Sequence, residues 1–237
     1  AGAYPFMLSD ALIWPLIANE DPSAVDALNS NEPGAWTADA VVGALSFVEQ
    51  MARQGYISQD SVAMDHIQSQ IEFINHNAAI VPSGSWLEGE MAGQWPEGFE
   101  LMPLAAPGSD GEQSMVAISE AMVLPKTDNT EAKLPHLIEL IQLFYSDEIA
   151  KKNMLSADYV MAFDSVPDSV MSELPPSVPE TWAMASQPSV QVLSPEYRFK
   201  YKDVFVKYND LINALILGDV TAEEMAEQME ATAAEHR

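Results

Sequence analysis

Apolar residues recur at helical spacing in several stretches of the chain, and each stretch predicts an element. Val41, Leu45, Val48 and Ala52 share one stripe, predicting a helix from an N-cap at Thr37 to Gln54, with Gly55 as its left-handed stop. Met64, Ile67, Ile71 and Ile74, three, four and three apart, predict a second helix from about Ser61 to Asn75. Leu134, Leu137, Ile138, Ile141 and Phe144 point inward from a helix over 131–145, and Ser146 caps a short one to Leu155. A helix over about 202–218 follows near the end of the chain. The capping box Thr221 with Glu224 then opens a last helix to about Glu235, with Met225, Met229 and Ala233 inward and Glu223, Glu227 and Glu230 outward. At the start, residues 8–18 read as a short apolar helix carrying Trp14-Pro15, and Asn19–Gly34 reads as a long loop.

Between these helices the period changes. Ala78-Ala79-Ile80-Val81-Pro82 is a continuous apolar run ended by proline, the pattern of a strand buried on both faces. Ser85 followed by Glu88 fits a capping box, predicting a helix from Trp86 toward Gly93. The Ser83–Trp86 turn therefore lies where a strand's carboxyl end meets a helix, the place where open α/β sheets bind ligands. Phe99–Ala105 reads as another strand and Ser114–Leu124 as extended. From Ala157 to Pro195 the periodicity fails. Pro167, Pro175, Pro176, Pro179, Pro188 and Pro195 all fall there, which makes it a connecting region with at most short helices. No internal repeat and no low-complexity tract is present.

Composition narrows the chemistry. The 237 residues are 48% hydrophobic, enough for a sizeable core, and carry 36 Asp+Glu against 10 Lys+Arg, a formal charge of -26. That balance repels phosphate backbones, and the one basic cluster, Arg198, Lys200, Lys202 and Lys207, is too short to reverse it, so no nucleic-acid partner is expected. With no cysteine there are no disulfides, thiolate metal sites or thiol catalysis. His66, His76, His136 and His236 show no ligand spacing, and Ser83–Gly89 lacks the Gly-x-Ser-x-Gly order of a nucleophile elbow. Phosphate loops, dinucleotide turns and calcium loops are absent as well. What remains is aromatic. Trp14, Trp36, Trp86, Trp95 and Trp182 flank loops or element ends, and Tyr197, Phe199, Tyr201, Phe205 and Tyr208 crowd the entry of the penultimate helix. Aromatic faces at loop ends stack on the C–H faces of sugar rings, while carboxylates and amides bond hydroxyls. Core or rim packing is the competing reading for each tryptophan. Trp86 is singled out by its position after a strand.

Four stretches carry a family resemblance. They are Ala78-Ala79-Ile80-Val81-Pro82-Ser83-Gly84-Ser85-Trp86; Leu101-Met102-Pro103-Leu104-Ala105-Ala106-Pro107-Gly108 through Ser119-Glu120-Ala121-Met122-Val123-Leu124-Pro125-Lys126; Leu137–Lys151 with Phe144-Tyr145-Ser146-Asp147-Glu148; and Ile216-Leu217-Gly218-Asp219-Val220-Thr221-Ala222-Glu223-Glu224-Met225. In their order and spacing these resemble the extracytoplasmic solute-binding proteins of sugar ABC transporters, the group typified by maltose-binding protein. The family's strand and loop before a Gly-Ser-Trp or Gly-Pro-Trp turn match the first, and its closing Gly-x-x-Thr-x-Glu-Glu-Ala signature matches the last, with Met225 where Ala is usual.

The resemblance implies an α/β, periplasmic-binding-protein-like (type II) two-lobe fold, of which this chain is the later part, with most of the first lobe missing. Residues 1–115 would form the first part of the second lobe, 116–189 the segment returning to the first lobe, and 190–237 the closing helices of the second lobe. Carried over by position, Trp86 is a sugar-stacking tryptophan, with Gly84 and Ser85 forming its loop. Phe205 stands near a last aromatic platform, where a tryptophan is commoner. Tyr4, or else Trp14, is near another aromatic of the second lobe. The implied function is a monomeric, non-enzymatic receptor. It would bind a mono- or oligosaccharide in an inter-lobe cleft and deliver it to ABC permease subunits, outside the cytoplasm, in the periplasm or as a cell-surface lipoprotein, with no cofactor. Two other readings stay open: an acidic interaction module or orphan lobe without a small ligand, and an accessory domain of a polysaccharide-active enzyme.

Overall fold

The computed structural model describes residues 5–108, 111–117, 126–161, 166–195 and 200–237. Tyr4, residues 118–124 of the expected extended segment, and Tyr197, Arg198 and Phe199 lie outside the described residues. The chain opens with α1 (Pro5–Leu8), a π turn (Ser9–Ile13) and α2 (Trp14–Glu20), then α3 (Pro22–Asn29), a 3-10 turn (Ala35–Thr37) and α4 (Asp39–Arg53). A 3-10 turn (Gln59–Ala63), α5 (His66–Ile74) and the single turn α6 (Leu87–Glu90) follow. Next come α7 (Thr130–Phe144), α8 (Asp147–Ala157), α9 (Asp168–Met171) and α10 (Ser177–Ala185), and the chain closes with α11 (Lys202–Leu217) and α12 (Ala222–Ala234). Three short strands, β1 (Ala106–Pro107), β2 (Gln113–Val116) and β3 (Val190–Leu193), make one mixed sheet in that order. β1 runs antiparallel to β2 with Ala106 opposite Ser114, and β2 runs parallel to β3 with Gln113 opposite Val190. Among the described residues the chain is thus α/β but mainly helical.

The main core is built by the stripes that the periodicity predicted. Val41, Leu45 and Val48 of α4 cluster with Ile212 and Leu215 of α11 and Met225, Met229 and Ala233 of α12, joined by Ile13 of the π turn, Trp14 and Ile17 of α2 and Leu28 of α3. Each such side chain contributes about 1.5–3 kcal/mol by leaving water, so this cluster dominates stability. Helix ends follow local rules where the right residue is present. Gly55 and Gly218 take positive φ at the ends of α4 and α11, and Thr221 and Glu224 form the reciprocal capping box of α12. Two smaller clusters lie apart from this core. Ile74, Leu87 and Met91 gather Phe73, Val81, Trp95 and Leu101, while Ala150, Met154, Met161 and Val170 gather Phe144, Leu155, Tyr159 and Val166.

Several expectations are corrected. The stretch 19–34 is not a loop: Asp21 accepts the Ser23 N–H, Pro22 occupies the first helical position, and Ala24, Val25 and Leu28 bury α3. The N-cap of α4 is Ala38, because the Thr37 hydroxyl is donated to the Gly34 carbonyl instead. α5 starts at His66, where Asp65 and Gln68 make the capping box, and Ile67 of its expected stripe is exposed. Residues 78–82 pair with no strand in the described structure. Ile80, expected to be buried on both sides, is 69% exposed. None of Phe99–Ala105, expected to be a strand, is in one; β1 comes just after, at Ala106–Pro107, and the Phe99 ring packs instead on Phe73, His76 and Trp95. α7 forms as expected but buries no residue, and Leu134 and Ile138, expected inward, are exposed. Glu230, expected outward, is turned inward.

The role of Glu230 is to clamp the 3-10 turn. Its carboxylate accepts the backbone N–H groups of Gly34 (2.8 Å) and Trp36 (3.2 Å) and pairs with Arg237 (2.8 Å). Burial by itself would raise this carboxyl. The hydrogen bonds from Arg237, Gly34 and Trp36 outweigh that and hold it below the ordinary carboxylate range. A depressed folded value means that the clamp contributes fully above about pH 5 and fades as the pH falls through that value. Glu230→Ala is therefore expected to cost roughly 2 kcal/mol at pH 7, lowering Tm by roughly 4–8 °C. Thermal unfolding of both forms should converge as the pH falls through that lowered value and the native carboxyl takes up its proton.

Candidate functional site

The residues singled out in the sequence divide between two parts of the structure. Trp14 is 2% exposed in the main core and offers no open face, and Phe205, on the first turn of α11, is half-buried against the same core. Gly84, Ser85 and Trp86 lie elsewhere, on the turn that enters α6 beside the Ile74–Leu87–Met91 cluster, and all three are half-buried. The structure therefore does not place Trp14 and Phe205 with the Trp86 turn; they belong to a different apolar cluster.

Ser85 does not cap α6. The N-cap is Trp86 itself, with helical dihedrals and no side-chain hydrogen bond. The indole of Trp86 instead folds back over Gly84, so close that a methyl group on Gly84 would overlap its Cε3, Cζ3 and Cη2. Gly84 has no need of a left-handed backbone. It is required because the ring occupies the space of its side chain. Trp86 as a residue is half-buried, so part of its surface is left exposed.

α6 is only four residues long, too short to persist alone, and its neighbours hold it from several sides. Leu87 and Met91 anchor it in the small apolar cluster. The Trp95 indole N–H donates to the Glu88 carbonyl at 3.0 Å, and Trp95 is itself packed on Phe99. The Glu90 carboxylate meets His66 Nε2 at 2.5 Å and accepts from the Gln70 amide at 2.7 Å, which ties α6 to α5. Gln70 is fully buried there. On the opposite side the Glu88 carboxylate accepts the Ser177 N–H at 3.0 Å, and Gly89 packs directly on the Asp158 carboxylate. Thus the turn that carries Trp86 is set against the segment of α8 and α10. Polar capacity remains unused along this region: Ser83 Oγ and Ser177 Oγ are buried without a partner among the described residues.

The sequence analysis missed Glu88, Asp158 and Ser177 as members of this site. A signal existed for one of them, since Leu174-Pro175-Pro176-Ser177 offers no capping side chain ahead of α10 and leaves its first N–H in need of a distant acceptor. His66 and Gln70 carried none, because their partner Glu90 is remote in sequence. Trp182, at 37% exposed on α10, has its ring partly in solvent. No group of His, Asp and Glu among the described residues has a metal-holding arrangement, and no described helix is long and apolar enough to cross a membrane.

No family model matches the sequence, and no curated protein matches it. Among solved structures, a chitin oligosaccharide binding protein is similar, with a TM-score of 0.71 at 19% identity over 98% of this chain and 56% of that one. The fold is thus shared with part of that protein, and the chain spans about half of its length.

Placing a methyl group on Gly84 tests the geometry of the turn. Gly84→Ala should displace the Trp86 indole, seen as a rise in its collisional quenching against a Trp86→Phe reference. The melting free energy should change by less than about 1 kcal/mol, because the turn lies outside the main core.

Proposed function

We propose that the chain is the sugar-receiving part of an extracytoplasmic solute-binding protein of an ABC importer, and that Trp86 is the surface on which a pyranose ring stacks. The observation that carries this reading is a tryptophan at an element end that is neither enclosed nor free. Its ring rests on Gly84, the residue is half-buried, and the turn that follows is braced through Glu88 and Glu90. A half-buried indole held on a braced turn suits a ligand with an apolar ring face, which is a feature of carbohydrates. The similar fold of a protein that binds chitin oligosaccharide supports the same class. The motifs around Trp86 and Thr221 favour the importer family over a hydrolytic one.

In this reading the two lobes of the receptor close on the sugar about a hinge, and delivery to the permease follows. Closure gains only what the closed state contacts better than the open one. Phe205 and Trp14 are not assigned sugar contacts, because both are engaged in the core. Trp86 is therefore the one aromatic face assigned to the sugar, and the affinity of this chain by itself should be low.

The test is an NMR titration with chito-oligosaccharides and with maltose as a second class. The expected result is millimolar binding of one of them with the Trp86 indole signal shifting first, and its loss in Trp86→Ala with Tm changed by less than about 3 °C. Micromolar affinity would overturn the single-platform account. Saturation with no shift at Trp86, or no binding of any sugar, would return the indole to a packing role and favour an interaction module. Release of shorter sugars during the titration would point to an enzyme.

A further inference from the structure

The start of α10 can be accounted for donor by donor. The Val178 N–H bonds to the Pro175 carbonyl, Pro179 has no N–H, and the Glu180 N–H bonds to the Pro176 carbonyl. That leaves the Ser177 N–H, and its acceptor is the Glu88 carboxylate, 89 residues away in sequence. Pro176 stands at the N-cap and has no side chain able to serve. Glu88 therefore caps α10 from another segment, bringing a negative charge to the positive end of a nine-residue helix. One residue on, Gly89 lies against Asp158, whose left-handed backbone (φ 51°, ψ 45°) ends α8. Asparagine and aspartate tolerate that conformation, and here it presents the carboxylate to α6. Two consecutive residues of α6 thus touch two different helices of the 147–185 segment, immediately after Trp86.

Resting on the sugar-binding reading above, we propose that Glu88 is the positioning residue of the site: by capping α10 it locks the Trp86 turn to the α8–α10 segment and so sets the direction of the indole face. Asp158 against Gly89 fixes the same turn laterally. The other braces of α6 hold it to α5 and to Trp95, which belong to its own neighbourhood in the chain. Glu88 and Gly89 join it to the 147–185 segment, between β2 and β3. A carboxylate is suited to this because a hydrogen bond to a charged acceptor is about twice as strong as a neutral one, and because removing it leaves a backbone donor without a partner.

Hydrogen exchange of the 237-residue chain, with Glu88→Ala and Glu88→Gln as variants, tests this without reference to any sugar. Glu88→Ala should speed exchange at 86–90 and at 177–181 by about tenfold or more, with α4, α11 and α12 unchanged. Glu88→Gln keeps an acceptor of the same length and should restore protection to within about threefold. The same variants are then titrated with the sugar that shifts Trp86, and Glu88→Ala should weaken it by about tenfold while Glu88→Gln recovers most of the loss. Unchanged exchange at both segments would overturn the lock, and faster exchange throughout the chain would make Glu88 a general stabiliser and overturn it equally. Altered exchange with unaltered sugar affinity would leave the contact but refute positioning. If exchange responds as expected and the wild-type chain binds none of the sugars, the lock stands and the carbohydrate reading is what fails.

Discussion

Backbone N–H groups at the start of a helical turn need an acceptor, and this chain repeatedly meets that need with carboxylates reached from distant segments. Glu49 of α4, almost fully buried, accepts the Ala222 N–H at 3.0 Å and holds α12 against α4, with Arg53 as its ion partner. Glu230 of α12 takes the N–H groups of Gly34 and Trp36. Glu88 of α6 takes that of Ser177. Each contact satisfies an orphaned donor and complements the positive end of a helical turn, so it both orients an element and resists sliding. Apolar contact is non-directional and sets how strongly helices associate. These carboxylates set where they stop.

The same device has different weight in different places. At α12 it adds to a large core in which Met225, Met229 and Ala233 are already buried, and it refines a position that apolar packing has largely chosen. At α6 there is only one turn of helix and a cluster of three buried apolar residues, so hydrogen bonds decide the posture. That is why the turn with Trp86 depends on Glu88, Glu90 and the Trp95 indole, although none of these side chains stacks on the ring. A weakly buried turn gains its rigidity from such polar braces, and a charge-assisted bond is the strongest kind available to it.

The long amphipathic helices were legible from spacing alone, as were the Gly55 and Gly218 stops and the Thr221–Glu224 box, because each depends on residues within one or two turns of each other. The strand expected at 78–82 was not, since an apolar run is strand-like only where a partner strand lies alongside, and here Ile80 faces solvent. α3 was missed for a different reason: its start, Asp21-Pro22-Ser23, uses the same residues that mark loops. Of the candidate site, the Gly84–Trp86 turn was singled out by the strand expected before it, and that strand does not form. Ser85 as a cap, and Trp14 and Phe205 as companions, were not upheld by geometry, because residue type reports what a side chain can do and not which side of a helix meets the core.

By itself the sequence determined which stretches coil, where several of those coils end, and that the chain is strongly acidic and has no thiol. These are local or compositional properties, written in neighbours a few residues apart. Only the tertiary structure decided that Trp86 rests on Gly84, that Trp14 belongs to the core, and that Glu88 reaches α10. Such outcomes depend on pairs separated by tens of residues, whose meeting is set by the sum of all packing and not by any one pattern along the chain.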